Sequence, residues 1–207
     1  MRTPDDALFT PTEAAVLTRL SLKAVNNAID KNLVPTTVRQ RASDSIRLLN
    51  RQALLALTLE QRLASGFVPE LRRRMFEALA ASSRRSLSLE QGLVKIDLRE
   101  PRRALAASLR ALRRARSLVV SDPEILGGAP VFRGTRVAVH SIATWVDQGS
   151  TEKKLIEAYP RLTPEMIRLA SVYAQAYPLR GRPRKQPWKD HSPVRRVRAP
   201  LPELKVL

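Results

Sequence analysis

Four polar side chains at helical spacing have the chemistry to contact nucleic acid. An asparagine amide can pair bidentately with adenine, and a lysine ammonium can meet guanine or a backbone phosphate. The four follow a serine able to cap the helix that carries them; the set is Ser21, Lys23, Asn26, Asn27 and Lys31. Taken alone, such residues more often form an ordinary solvated helix face.

The elements around this helix favour DNA binding over a plain solvated face. Thr10 begins a capping box, which predicts the start of a preceding helix. A turn at residues 18–20 leads into the second helix, and strand-like segments 36–41 and 45–49 flank a turn at 42–44. This order is that of a winged helix-turn-helix, whose second helix enters the major groove. Arginines on the wing would reach the DNA backbone or the minor groove; they are Arg39, Arg41 and Arg47.

The run FTPTEAAVLTRLSLKAVNNAIDKNLV resembles the start of MerR-type and excisionase-type DNA-binding domains. The resemblance implies that double-stranded DNA is a partner of this segment. The run lacks the glycine that is usual in the turn between the two helices of those domains.

The charge of the chain favours a polyanionic partner. Lysine and arginine number 37 against 19 acidic residues, a net charge of +18, which points to nucleic acid, a membrane surface or an acidic protein. Residues 1–64 carry +3, residues 65–116 carry +8, residues 117–177 are neutral and residues 178–207 carry +7. Partners of opposite charge are therefore expected to contact the regions around the neutral segment.

The composition argues against several classes of protein. With no cysteine, disulfides and thiolate chemistry are excluded, which fits a reducing compartment. No segment has the apolar length of an export signal or a membrane span, so the chain is predicted to be cytoplasmic. The histidines are His140 and His191, and no metal-ligand spacing, nucleophile elbow or phosphate loop accompanies them. The prediction is a protein that is not an enzyme and that has no cofactor or metal site; His140 is expected to cap a helix or pack in a core.

The segment Ser121–Arg136, SDPEILGGAPVFRGTR, is suited to turning and pairing rather than to catalysis. Its glycines permit positive φ, and apolar residues around the turns would give a short hairpin one buried face. A hairpin this small must pack on the helices that follow or on a second copy of itself. The residues predicted to form a dimer contact are Ile125, Val131, Phe132, Arg136 and Val137.

The run from Val119 to Tyr177 resembles the small C-terminal domain of VapB-type antitoxins of bacterial type II toxin–antitoxin pairs, a domain formerly of unknown function. The matching segments are SDPEILGG, PVFRGTR, the glycine of DQGS, and YPRLT. The resemblance implies a homodimer that binds a toxin of the PIN type, a ribonuclease whose carboxylates hold Mg²⁺.

The tail, residues 178–207, is rich in proline and arginine and is predicted to be extended or disordered until it meets a partner. Its RGRP core resembles an AT-hook, which lays arginines into a narrow minor groove. As an antitoxin tail it would instead place an arginine fork, with Arg182 and Arg184 favoured, on the toxin's carboxylates. A third interpretation is a solubilising basic terminus. Apolar anchors favour the toxin, and the predicted toxin-binding residues are Arg180, Arg182, Arg184, Lys185, Trp188, Arg195, Arg196, Leu201 and Leu204.

The sequence therefore predicts a mainly α protein with small β-hairpins. Its parts are a winged helix-turn-helix at 1–64, a basic helical connector with a possible hairpin at 65–116, a hairpin plus three helices for dimerisation at 117–177, and the tail at 178–207. The function expected is an antitoxin that represses its own operon. The alternative is a DNA-binding regulator or nucleoid-type protein that acts without a toxin and uses an AT-hook-like tail.

Overall fold

The computed structural model describes residues 7–41, 44–63, 68–81 and 85–179. Within these ranges the chain is mainly α-helical, with three small two-stranded antiparallel sheets, which confirms the predicted fold class. In chain order the elements are α1 (Pro11–Thr18), α2 (Leu22–Asp30), β1 (Thr36–Arg41), β2 (Asp44–Leu49), α3 (Arg51–Leu63), α4 (Pro69–Ala81), β3 (Ser86–Leu89), β4 (Val94–Asp97), α5 (Arg99–Ser117), β5 (Val119–Val120), β6 (Val131–Phe132), α6 (Val139–Asp147), α7 (Glu152–Ala158) and α8 (Pro164–Ala176).

Local sequence signals explain how α1 and α2 begin and how the chain turns between them. Thr10 caps α1 in a reciprocal capping box with Glu13, and Ser21 caps α2 through the amide of Ala24. The turn has no glycine, and Arg19 takes the left-handed conformation there, with φ of 59°. A bulky residue in that region is strained, and glycine is the residue that relieves the strain.

Each hairpin pairs neighbouring strands. β1 pairs with β2 from Thr36 opposite Leu49 to Arg41 opposite Asp44, so Asp44 lies in a strand rather than in the predicted turn. β3 pairs with β4 around the predicted turn at 90–92. β5 pairs with β6, and the intervening loop bends where Gly127 and Gly128 have φ of 64° and 84°.

Two helix starts differ from the sequence prediction. The helix predicted from Pro101 begins two residues earlier, at Arg99, and Pro101 is buried within its first turn, where a missing amide costs nothing. The helix predicted from Ser150 is capped by Thr151, whose hydroxyl accepts from the amide of Lys154. The amide of Ser150 instead donates to the carbonyl of Trp145 and closes the preceding turn.

Two hydrophobic cores organise the described residues. The first core runs through α1 to α5 and crosses residue 64, and Ala176 at the end of α8 joins it. The second core lies among β5, β6 and α6 to α8. Helix α8 packs against α1, α5 and α6, so it connects the two cores. The four-part division of the chain stays a prediction.

None of the helices in the described ranges has the length and apolar character that a membrane crossing requires.

Candidate nucleic-acid interface

Helix α2 presents the polar face predicted from the sequence. Its apolar side, formed by Val25, Ala28 and Ile29, is buried in the first core. On the other side Lys23 and Asn27 are exposed. Because burial on one side fixes how the helix is rotated, these two side chains are held towards solvent.

The remaining predicted α2 residues differ in their accessibility. Lys31, directly after the helix, is exposed, as is the capping Ser21, whose Oγ accepts from the amide of Ala24 at 3.1 Å. Asn26 is half-buried. The contact that a base edge would make most directly is therefore offered by Asn27, with Lys23 one turn before it.

The hairpin arginines do not share one face. Arg39 stands opposite Ile46 and Arg47 stands opposite Val38, and directly opposed residues lie on the same side of a hairpin. Since neighbours along a strand alternate between faces, Arg39 and Arg47 lie on opposite sides. Arg41 pairs with Asp44 at the end of β1.

Arg47 is engaged within the chain. Its Nη1 lies 2.5 Å from the Oδ1 of Asp30 at the end of α2, and both side chains are about half exposed. The pair joins the hairpin to α2. Arg39 is exposed and has no ion pair with any part of the chain that the structure describes. Of these two, Arg39 is the cation free to contact a phosphate.

Asn26 lines a shallow surface depression that also reaches the end of α8. Leu22 and Ile46 form one side of the depression, and Tyr177 and Pro178 form another. The segment that follows Leu179, the last described residue, therefore begins beside the polar face of α2.

Tyr177 connects the two cores through several contacts. Its hydroxyl donates to Oε1 of the buried Glu13 in α1 at 2.5 Å, and its carbonyl accepts from Nε2 of His140 in α6 at 2.8 Å. The guanidinium carbon of Arg116 lies 6.0 Å from the centre of the Tyr177 ring. Burial, and then the hydrogen bond to Glu13, raise the pKa of the Tyr177 hydroxyl far above its usual value. Tyr177 therefore remains a hydrogen-bond donor at physiological pH.

His140 lies in a helix and has a structural environment. Besides its bond to the carbonyl of Tyr177, its ring meets that of Tyr173 edge-on, with centroids 6.1 Å apart. Across the described part of the chain, no group of three or more His, Cys, Asp or Glu side chains is placed to hold a metal ion. That the chain is not an enzyme and has no cofactor stays a prediction.

The residues predicted to form a dimer contact fall into two groups. Val131 and Phe132 are fully buried in the second core of the chain itself, with 0% and 1% exposure. Ile125 and Val137 are half-buried and Arg136 is exposed. Only this second group is accessible to a second copy.

Two segments quoted for the antitoxin resemblance meet at one surface depression. Thr135, Arg136 and Val137, from the end of the hairpin segment, line it on one side, and Tyr159 and its neighbours to residue 161 line it on the other. Nη1 of residue 161, an arginine, donates to the carbonyl of residue 134 at 3.3 Å. The ring of Tyr159 stacks on Trp145, with centroids 5.5 Å apart, which fixes this side of the depression.

The predicted toxin-binding residues lie outside the described residues, which end at 179. They are Arg180, Arg182, Arg184, Lys185, Trp188, Arg195, Arg196, Leu201 and Leu204.

Comparison with known proteins identifies relatives of this chain. An uncharacterized protein named y4eO, from Sinorhizobium fredii (strain NBRC 101917 / NGR234), is 38% identical over 182 residues, covering 83% of this chain and 82% of the relative. The chain belongs to the y4eO family. Residues 119–174 match a domain family described as a protein of unknown function (DUF433), which lies within the run that carries the antitoxin resemblance.

A crystal structure of Rv2018 from Mycobacterium tuberculosis also aligns with this family member. The alignment covers 83% of this chain and 98% of that chain, at 15% identity and a TM-score of 0.33. A likeness at this score carries no argument about fold or function.

The sequence did not point to three residues that shape the site. Glu13, Asp30 and Tyr177 hold the α2 unit against the hairpin and α8 through contacts between distant positions. Glu13 carries a local signal only for its capping role, so its second hydrogen bond had no signature in the sequence.

Proposed function

We propose that this protein is a DNA-binding antitoxin. It binds operator DNA through α2 and the β1–β2 hairpin, represses its own operon, and neutralises a PIN-type ribonuclease through residues 178–207. The observation that carries the proposal is the face of α2, where Lys23 and Asn27 are exposed while the opposite side of the helix is buried.

The geometry supports recognition of duplex DNA in the following way. A helix fixed by a cap and by one buried side presents its polar side chains in a defined orientation, which base recognition requires. Asn27 would read a base edge, while Lys23 and Lys31 would contact phosphates on either side of it. Arg39 on the neighbouring hairpin would add a backbone contact.

The antitoxin part of the proposal has separate support. It rests on the resemblance of residues 119–177 to the VapB-type domain, on the neutral charge of that segment, and on the basic tail that follows it. Arginines in such a tail can satisfy the carboxylates that hold Mg²⁺ in a nuclease site and so exclude both metal and RNA.

A second function, that of a regulator acting without a toxin, is favoured by one observation. Pro178 and Asn26 line the same depression, so the basic tail starts beside the DNA-facing helix. A tail starting there could follow the same duplex into its minor groove, as an AT-hook does.

The DNA-binding part is tested by selecting bound duplexes from a random pool. The wild type should enrich one motif, and Asn27→Ala should relax the preference at one position, with a loss of about 1–3 kcal/mol for that base. Lys23→Ala should weaken all sequences alike. Lys153→Ala, an exposed lysine on α7, is the control and should change neither property. If Asn27→Ala selects the wild-type motif unchanged, α2 is not the reading element.

The toxin-binding part is tested by co-expression with the product of the adjacent reading frame. The proposal expects that product to arrest growth alone and to be neutralised by the full chain. Deletion of residues 178–207 should abolish neutralisation and leave operator affinity nearly intact. The regulator function expects the same deletion to cause a large loss of DNA affinity and a smaller salt dependence. A harmless neighbouring product would refute the antitoxin assignment.

A further inference from the structure

A row of arginines runs along the outer side of α5, outside the surfaces described above. Arg103, Arg110 and Arg113 are all exposed, and at 3.6 residues per turn they fall within about 80° of one another. The row lies opposite the buried Leu105 and Leu109. With 1.5 Å of rise per residue, it spans about 15 Å from Arg103 to Arg113.

The three guanidiniums lack carboxylate partners within the described residues. Arg103 and Arg110 form no ion pair there, and Arg113 makes only a 3.4 Å contact through Nε to the carbonyl of Leu109. Other arginines of α5 are different. Arg99 is held by Asp97, and Arg114 is held by both oxygens of Glu165 at 2.8 and 2.7 Å. The helix therefore neutralises the edges of the row and leaves its centre positively charged.

This arrangement is not explained by stability of the fold. Arg110 and Arg113 are one turn apart, where like charges repel each other, and no described carboxylate relieves the repulsion. A bound polyanion removes that repulsion.

The residues between the arginines distinguish among anionic partners. Ala106 and Ala107 separate Arg103 from Arg110, so the row has no aromatic or long aliphatic side chain. Interfaces with proteins draw most of their affinity from such anchors. A nucleic-acid backbone needs only cations at intervals along a line, because its phosphates carry the binding.

We propose that Arg103, Arg110 and Arg113 form a second nucleic-acid contact, which binds the phosphate backbone of duplex DNA without reading its sequence. The contact does not depend on α2 or on the antitoxin role. A guanidinium can hold two phosphate oxygens at once, which suits this use better than an ammonium does.

The experiment measures binding of the full chain to a 20-base-pair duplex of random sequence over a range of salt concentrations. Replacing all three arginines with glutamine keeps helix propensity and should lower the slope of log K against log salt by about 2.7, which is about 0.9 for each phosphate released. Replacing the same three with lysine should restore most of the slope. The control is the triple variant Lys153→Gln, Lys154→Gln and Arg168→Gln, which removes equal charge from α7 and α8 and should leave the slope nearly unchanged.

Each outcome decides the proposal. A glutamine variant that matches the control refutes it, and so does a lysine variant that binds no better than the glutamine one. A duplex RNA of the same sequence identifies the source of the phosphates, since a loss confined to RNA also refutes the DNA assignment. Asn27→Ala should bind the random duplex normally, so a failure of the α2 assignment leaves this result readable.

Discussion

At the scale of single residues, one hydrogen bond connects positions 164 apart in the chain. The hydroxyl of Tyr177 donates to Oε1 of Glu13, while Oε2 of Glu13 accepts from the amide of Thr10 at 2.8 Å. The carboxyl group is therefore shared between the start of α1 and the end of α8. Because Glu13 is 7% exposed, water cannot readily replace a lost donor.

Replacing Tyr177 with phenylalanine removes this donor and keeps the ring. The free energy of unfolding should fall by about 1.5–3 kcal/mol, as expected for a buried hydrogen bond to an acidic group. Urea denaturation measures it. Tyr173→Phe is the control, since the structure gives the Tyr173 hydroxyl no hydrogen bond among the described residues; it should change stability by about 0.5 kcal/mol or less. Equal losses in the two variants would mean that the bond to Glu13 contributes nothing.

At the scale of elements, the α1–α2 turn shows a conflict between local sequence and required geometry. Arg19 has φ of 59° at a position where a glycine would be free of strain. The buried faces of α1 and α2 determine the angle between the helices, so the turn must follow them.

Replacing Arg19 with glycine should raise the free energy of unfolding by about 0.5–1 kcal/mol, because the left-handed conformation then has no Cβ penalty. Arg19→Ala removes the same charge but keeps the Cβ atom, so it should give no such gain. Chemical denaturation of the two variants separates conformation from charge. If alanine stabilises as much as glycine, the effect is electrostatic rather than conformational.

Elements were predictable where a local signal determines them. The capping box at Thr10, the cap at Ser21 and the apolar periodicity of α5 each predicted a helix that the structure confirms. The start of α7 was wrong by two residues because Ser150 and Thr151 are both able to cap, and only the preceding turn decides between them. Burial of Val131 and Phe132 was not predictable, since a short apolar strand can pack on its own chain or on a partner.

The site shows the same limit. Lys23 and Asn27 follow from helical spacing within nine residues of one element, and the structure has both of them exposed. The bond between Arg47 and Asp30 depends on how the hairpin docks against α2. Tertiary packing determines that docking, and no spacing in the sequence encodes it.

At the scale of the whole molecule, α8 holds the two cores together. Its middle residues Ile167 and Ala170 pack in the second core, and Ala176 packs in the first. Arg114 of α5 binds Glu165 at the start of α8, and Tyr177 binds Glu13 after its end. The tail and the α2 face are therefore attached to one continuous scaffold.

Pairing of two copies should use accessible residues of the β5–β6 loop. Ile125→Glu should shift the protein from dimer towards monomer, because a buried carboxylate at an apolar contact is costly. Analytical ultracentrifugation over a range of concentrations measures the shift. Leu93→Glu is the control, since Leu93 is 89% exposed in the β3–β4 turn and its change should leave the dimer intact. A wild type that is monomeric at every concentration would contradict the predicted dimer.

The central claim, that the outer face of α2 lies against DNA, is open to site-directed crosslinking because the chain has no cysteine. Single cysteines replace Asn27 on α2 and Lys153 on α7, each carries a photoactivated crosslinker, and each protein is irradiated with its selected duplex. We expect crosslinks to bases from position 27 and none from position 153. Crosslinks of equal yield from both positions, or none from position 27 under conditions where the duplex is fully bound, would contradict the claim.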